Sequence, residues 1–169
     1  CPFCRARLAA HTPRLDPALA PEGRLVRGES VLFPNLFPYG RYSAVSLFDD
    51  RHFVAIGTAS PASYTDSFLN SRDYLLRVLA HDPAAVWMAV TQNHLPSAGG
   101  SLLHPHLQVQ ADRIPANFQR FLHDRAQRHF RRHGGSTATA GQTHRCADHP
   151  GHHPPAARRR GLSRAFLSA

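Results

Sequence analysis

The chain has 169 residues, enough for one domain and a tail, and its 42 % apolar content is compatible with a packed core. No run of 18 apolar residues occurs, which excludes a membrane-spanning helix, and three cysteines are too few for a disulfide scaffold and fit a cytoplasmic, reducing compartment. The net charge of +9 could suggest a nucleic-acid partner, but its distribution weakens that idea: every basic residue is Arg, and the segment 135–169 alone sets five arginines against one acid.

The chain opens on Cys1 and reads as a piece that begins inside a longer gene product. Cys1-Pro2-Phe3-Cys4 forms a C-x-x-C knuckle, and the rest of residues 1–30 shows no period and reads as loop. Residues 31–38, apolar but broken by Pro34 and Pro38, predict a short edge strand running into a turn. Tyr42 to Phe48 predicts a second strand, followed by a polar turn at Asp49-Asp50-Arg51-His52.

Ser60 and Pro61 mark a helix start and Asp82-Pro83 its end. Tyr64, Phe68, Leu75 and Leu79, with Leu76 beside them, predict its buried face. Residues 85–92 read as a buried strand, Gly99-Gly100-Ser101 as a tight loop, and His104 to Ala111 as a further strand. A last helix runs from about Pro115 to His133, with Phe118, Phe121, Leu122 and Phe130 as a core stripe and Gly134-Gly135 as its stop. The aromatic residues at 64–68 and 118–130 are therefore expected in the core, and the histidines at 11, 81, 94, 123, 129 and 133 on the surface.

His104-Pro105-His106-Leu107-Gln108-Val109-Gln110 carries the chemistry. On a strand, His104, His106, Gln108 and Gln110 share one face, and Leu107, Val109 and Ala111 the other. Two imidazoles roughly 7 Å apart can divide labour, one holding a metal and the other attacking phosphorus. Gln108 offers an amide donor for a phosphoryl oxygen. Upstream, Asn93 and the pair Gly99-Gly100 precede Ser101; glycines allow close approach, and N–H groups with a hydroxyl can cradle phosphate.

The run Asn93…Gly99-x-Ser101-x-x-His104-Pro105-His106-x-Gln108 resembles the active-site signature of galactose-1-phosphate uridylyltransferases, a branch of the histidine-triad superfamily. Cys1-Pro2-Phe3-Cys4 is similar to that family's zinc knuckle, Asn35-Leu36-Phe37-Pro38 to its N-x-F/Y-P segment, and Asp50-Arg51-His52 to its aspartate-histidine turn. The resemblance implies an α+β fold with a histidine-triad-like antiparallel sheet and packed helices. It implies transfer of UMP between sugar 1-phosphates, from UDP-glucose to galactose 1-phosphate, through a covalent nucleotidyl-histidine on His106. Asn93, Ser101 and Gln108 would hold phosphate oxygens, and Cys1, Cys4, His52 and His104 would bind Zn2+. Partners are then a nucleotide sugar and a sugar 1-phosphate, with no membrane and no nucleic acid, and a homodimer is compatible with this reading. Alternatives are an ADP-sugar or dinucleoside-polyphosphate phosphorylase of the same superfamily, or a catalytically silent zinc-stabilised fragment.

Members of that family are about twice this length. After Gly135 the apolar pattern gives way to Arg, Pro, His and Ala, so the expected division is a domain over 1–134 and a low-complexity tail over 135–169. A frameshift near residues 134–136 is the expected origin of the tail. A strand-and-helix pattern resuming in neither of the gene's other two frames overturns it.

Overall fold

The computed structural model describes residues 1–134 apart from 56, 59 and 101. A short helix α1 (Arg5–His11) leads to strands β1 (Leu25–Arg27), β2 (Ser30–Pro34) and β3 (Tyr42–Leu47). Helix α2 (Pro61–His81) follows, then β4 (Trp87–Thr91), a 3-10 turn at Pro96–Ala98, β5 (His106–Asp112) and α3 (Asn117–His133). The strands form one antiparallel sheet in the order β1-β2-β3-β5-β4. Residues 1–122 make one compact unit; from His123 onward the chain belongs to a second. Among the described residues no helix is long and apolar enough to cross a membrane.

Alternation in the strands gives the sheet two different faces. On one, Leu32, Ala44, Leu107, Val109 and Ala111 are almost fully buried and pack with Tyr74 and Val78 of α2. On the other, Phe33, Val45 and Leu47 are buried under Phe3 and Leu8, which arrive from the Cys1–Cys4 knuckle and α1. The pattern of β5 is the one its sequence predicts, with His106 on the face opposite Leu107, Val109 and Ala111.

Several elements differ from the sequence reading. The supposed loop after Cys4 holds α1, whose Arg-Ala-Arg-Leu-Ala-Ala run favours helix but is too short to show a period. Its C-terminal end is held by Arg24, whose Nη2 donates to the Thr12 carbonyl at 3.0 Å and the Thr12 hydroxyl at 2.9 Å. β2 is interior rather than an edge, because β1 pairs outside it; Pro34 is tolerated as its last residue. The strand expected to be buried, β4, is an edge strand with half-exposed side chains.

α2 keeps its predicted limits, with Pro61 in the first turn and Ser60 at the cap, although the Ser60 side chain makes no capping bond. Its predicted apolar face is only partly the buried one: Tyr64 and Leu75 pack against the core, half-buried. Ser67, Asn70, Ser71, Tyr74 and Val78 face the sheet, while Phe68 and Leu76 are exposed. Small polar side chains let the helix approach closely, and each finds a partner. The Ser46 and Ser67 hydroxyls lie 2.9 Å apart, Ser71 donates to the Ser67 carbonyl at 2.7 Å, and Asn70 donates to the Leu25 carbonyl at 3.1 Å. The α3 stripe is not core either: Phe118, Phe121, Leu122 and Phe130 are all exposed, Phe118 by 69 %.

At the end of the sheet where β3 starts and β5 ends, buried Asp82 accepts from Arg113 Nε at 2.9 and 3.1 Å and from the Tyr42 hydroxyl at 3.1 Å. The Arg113 hydrogen bonds hold its carboxyl below the ordinary range; burial opposes them, and Tyr42 adds to them. This carboxylate therefore stabilises the fold above the ordinary carboxylate range, and that contribution disappears as pH falls through its depressed native value. Asp82→Asn is expected to flatten the acid limb of a denaturation-midpoint versus pH profile, with the midpoint lowered mainly at neutral pH. Asn70→Ala is expected to cost about 2 kcal/mol, because it strips donors from buried carbonyls; urea denaturation reads it directly.

Candidate metal centre and nucleophile

Phe3 builds this site from below. It is buried and meets Phe33 edge-on at 5.3 Å, His106 at 5.3 Å and His104 at 6.2 Å between ring centroids. Anchoring Phe3 brings the flanking cysteines against the start of β5. Cys4 also caps α1, its carbonyl accepting from the Arg7 and Leu8 N–H groups at 2.8 and 3.0 Å.

The ligand atoms of Cys1, Cys4, His52 and His104 all lie within 4.8 Å of one another. Cys4 Sγ is 3.6 Å from His52 Nδ1, and Cys1 Sγ is 4.0 Å from His104 Nδ1. A tetrahedral zinc with ordinary Zn–S and Zn–N bonds requires sulfur-to-nitrogen edges of about 3.6 Å. The donor set therefore fits a metal of that kind with little adjustment. His104 is completely buried, and its Nε2–H donates to the Asp49 carbonyl at 3.0 Å. That bond leaves the Nδ1 lone pair turned toward the thiols, the usual way a second partner sets the tautomer of a metal-binding histidine. Burial pushes the His104 imidazole down from its ordinary pKa, and the Asp49 carbonyl partly restores it.

His106 sits two residues along. Its Nδ1–H donates to the His104 carbonyl at 2.8 Å, an acceptor with no proton of its own, so Nε2 keeps a free lone pair. Burial pushes this imidazole down as well, with the carbonyl bond working the other way. A neutral imidazole with a fixed tautomer can attack an electrophile. Gln108 is half-buried on the same face, paired in register with Val45 of β3 and Thr91 of β4.

Asn93, Gly99 and Gly100 lie in the segment that joins β4 to β5. Continuing the Thr91↔Gln108 register by two residues would set Asn93, which is exposed, across from His106. Leu95 has φ 69° and ψ 161°, a region nearly reserved for glycine. Gly99 is left-handed at φ 83°, and a Cβ on Gly100 would come within 2.9 Å of the Asn93 and Leu95 carbonyl oxygens. Both glycines are thus required by the turn. Their N–H groups also close it: Gly99 donates to the Pro96 carbonyl and Gly100 to the Leu95 carbonyl, each at 3.0 Å. Ser101 lies outside the described residues, as do residues 135–169. His94, expected at the surface, is half-buried, and its Nε2 is shielded from solvent with no hydrogen-bond partner among the described residues.

The structure therefore gathers the four predicted metal ligands into one cluster and sets His106 beside it. It shows two contributors the sequence reading passed over. Phe3 was signalled only as an aromatic residue between two cysteines. Asp49 acts through its main-chain oxygen, which leaves no mark in side-chain chemistry.

No protein-family model matches the chain. An uncharacterized protein of Archaeoglobus fulgidus is 33 % identical over 119 residues, covering 70 % of this chain and 34 % of that protein. Among solved structures, a GalT-like protein of Arabidopsis thaliana is similar with a TM-score of 0.67 at 19 % identity, over 85 % of this chain and 50 % of that one. An ADP-glucose phosphorylase of Arabidopsis thaliana, solved with bound ADP-glucose, has a TM-score of 0.67 at 18 % identity, over 85 % and 49 %. The chain thus spans about half the length of these structures and a third of the curated relative, and at this identity the likeness is one of fold.

Stoichiometric zinc is expected to raise the thermal midpoint, with stabilisation of about 4 kcal/mol at a thousandfold excess over the dissociation constant. Cys4→Ser should abolish most of that rise, and a chelator should reverse it in the wild type. Leu95→Gly is expected to stabilise the fold by about 1 kcal/mol through relief of backbone strain, measured as a shift in urea midpoint at unchanged slope.

Proposed function

We propose that the chain carries the nucleophile-bearing half of a nucleotidyltransferase, in which His106 Nε2 attacks the α-phosphorus of a nucleotide sugar. The single observation behind this reading is the 2.8 Å bond from His106 Nδ1–H to the His104 carbonyl, which leaves Nε2 unprotonated on a buried ring. As the Nε2–P bond forms, the bond from phosphorus to the bridging oxygen of the sugar 1-phosphate breaks, and that oxygen leaves with its electron pair. A second sugar 1-phosphate then takes the nucleotidyl group from His106, so that one hard displacement becomes two easier ones. UDP-glucose and galactose 1-phosphate are the substrates that the signature around His104-Pro105-His106 favours.

Gln108 would donate from its amide to a phosphoryl oxygen without offering a proton to a leaving group. Asn93 and Ser101 would hold the remaining oxygens, with Gly99 and Gly100 supplying room for close approach rather than free donors. Zn2+ on Cys1, Cys4, His52 and His104 would be structural, a closed four-ligand site that holds the strand carrying His106. An ADP-sugar phosphorylase is the second reading, supported by the likeness to the ADP-glucose-bound structure; it keeps His106 in the same role and differs in the base and in the acceptor, inorganic phosphate.

The test is the intact mass of the protein after incubation with UDP-glucose or ADP-glucose. A gain of one nucleoside monophosphate is expected, absent in His106→Asn, and the sugar that labels names the base. Turnover in His106→Asn should fall by on the order of 10⁴-fold or more, and in Gln108→Ala by about 10²-fold. Folded protein that gains no mass with either sugar overturns the proposal and leaves a catalytically silent, metal-stabilised domain.

A further inference from the structure

The turn between β3 and α2 that carries His52 also reaches the residues around Cys4 and His104. The Asp49 carbonyl accepts from His104 Nε2–H at 3.0 Å. The buried Asp49 carboxylate folds back on its own turn: Oδ1 accepts the Arg51 backbone N–H at 3.0 Å, and both oxygens accept from the Arg51 guanidinium. These bonds fix the backbone one residue before His52. The neighbouring Asp50 Oδ1 accepts the Arg5 backbone N–H at 3.1 Å, one residue after Cys4. Arg5 is the first residue of α1, so its N–H has no acceptor within the helix, and Cys4 makes no side-chain capping bond. The Cys4 thiol is turned instead to His52, with Sγ 3.6 Å from Nδ1. Asp50 thus supplies, from 45 residues away, the acceptor that a thiol facing the cluster does not. The Arg5 guanidinium adds little, because Nε is 4.0 Å from Asp50 Oδ1 and both side chains are more than half exposed.

We propose that Asp50 is a positioning residue of the metal centre: its carboxylate ties the Cys4 knuckle to the turn that bears His52, so that these two ligands converge before an ion arrives. Asp49 ties the same turn to His104, which extends the frame to a third ligand. The proposal rests on reading Cys1, Cys4, His52 and His104 as metal ligands. Ligands held in place lose less freedom on binding, and partners outside a ligand set govern metal affinity by this route. Both ends of the Asp50 link can be cut separately, since the acceptor is an exposed side chain and the donor is a main-chain N–H that proline lacks.

Zn2+ affinity of the full chain, measured by competition with a chromophoric chelator, tests it, and the visible spectrum of bound Co2+ reports tetrahedral thiolate ligation. Asp50→Ala should weaken binding about tenfold. Asp50→Asn keeps an oxygen acceptor and should bind as the wild type does. Arg5→Pro removes the donor at a helix position that favours proline, after a Cys4 whose φ of −65° and ψ of 137° suit a following proline. It should weaken binding as much as Asp50→Ala, and the two changes together no further. Arg5→Ala keeps the N–H and should leave the affinity unchanged. Thermal melts without metal check that each variant folds. Wild-type affinity in a folded Asp50→Ala or Arg5→Pro variant, or equal loss in Asp50→Asn and Asp50→Ala, overturns the proposal and leaves the metal reading standing. A wild-type chain that binds neither ion overturns the metal reading itself, and Asp50's role with it.

Discussion

Residue His104 ties the Cys1–Cys4–His52–His104 cluster to His106. Its ring is fixed from one side by the Asp49 carbonyl and offers Nδ1 to the Cys1 thiol; its own carbonyl fixes the ring of His106. A shift of that residue would disturb the ligand set and the tautomer of His106 together. Pro105 between them limits the backbone freedom through which such a shift could be absorbed. A closed metal site here would therefore act on catalysis by holding an orientation, with no need to touch a substrate.

That arrangement depends on how the second face of the sheet is divided. Phe3 and Leu8 cover Phe33, Val45 and Leu47, which completes the small core under the knuckle. Beyond that cover, the same face continues on β5, beside the edge strand β4, through buried His106 to Gln108 and Gln110, which are half-exposed. The apolar half is occupied by the chain itself, and the polar half is where a phosphorylated ligand could be met. The α2 face takes no part in this; its packing is closed by Tyr74, Val78 and a serine-rich seam.

The sequence was most legible where one residue pattern answers to one structure. β5 alternates cleanly, so its two faces could be assigned before any coordinates, and the limits of α2 followed from Pro61 and Asp82-Pro83. The buried face of α2 was not legible, since hydropathy favours Phe68 and Leu76 over Ser67, Asn70 and Ser71. The small polar side chains are inside because main-chain carbonyls and other hydroxyls satisfy them there. α1 was too short to reveal itself by period. The candidate metal-ligand cluster lay beyond spacing arguments altogether, because Cys1 and His104 are 103 residues apart and Cys4 and His52 are 48 apart. Only the resemblance of whole motifs brought those four residues together in advance.

The segment between β4 and β5 holds costs that the rest of the fold avoids. Leu95 occupies a backbone region that favours glycine, and the preceding His94 keeps a shielded Nε2 without a partner among the described residues. Gly100 cannot carry a side chain where it stands. A strained residue and an unmet imidazole atom in sequence, beside the residue that register sets across from His106, are not what packing alone would select, because loops of this length close in many unstrained ways. Such features persist where the conformation itself is useful. On the reading in which His106 is the nucleophile, a turn held in this conformation before a ligand arrives would lower the ordering cost of binding.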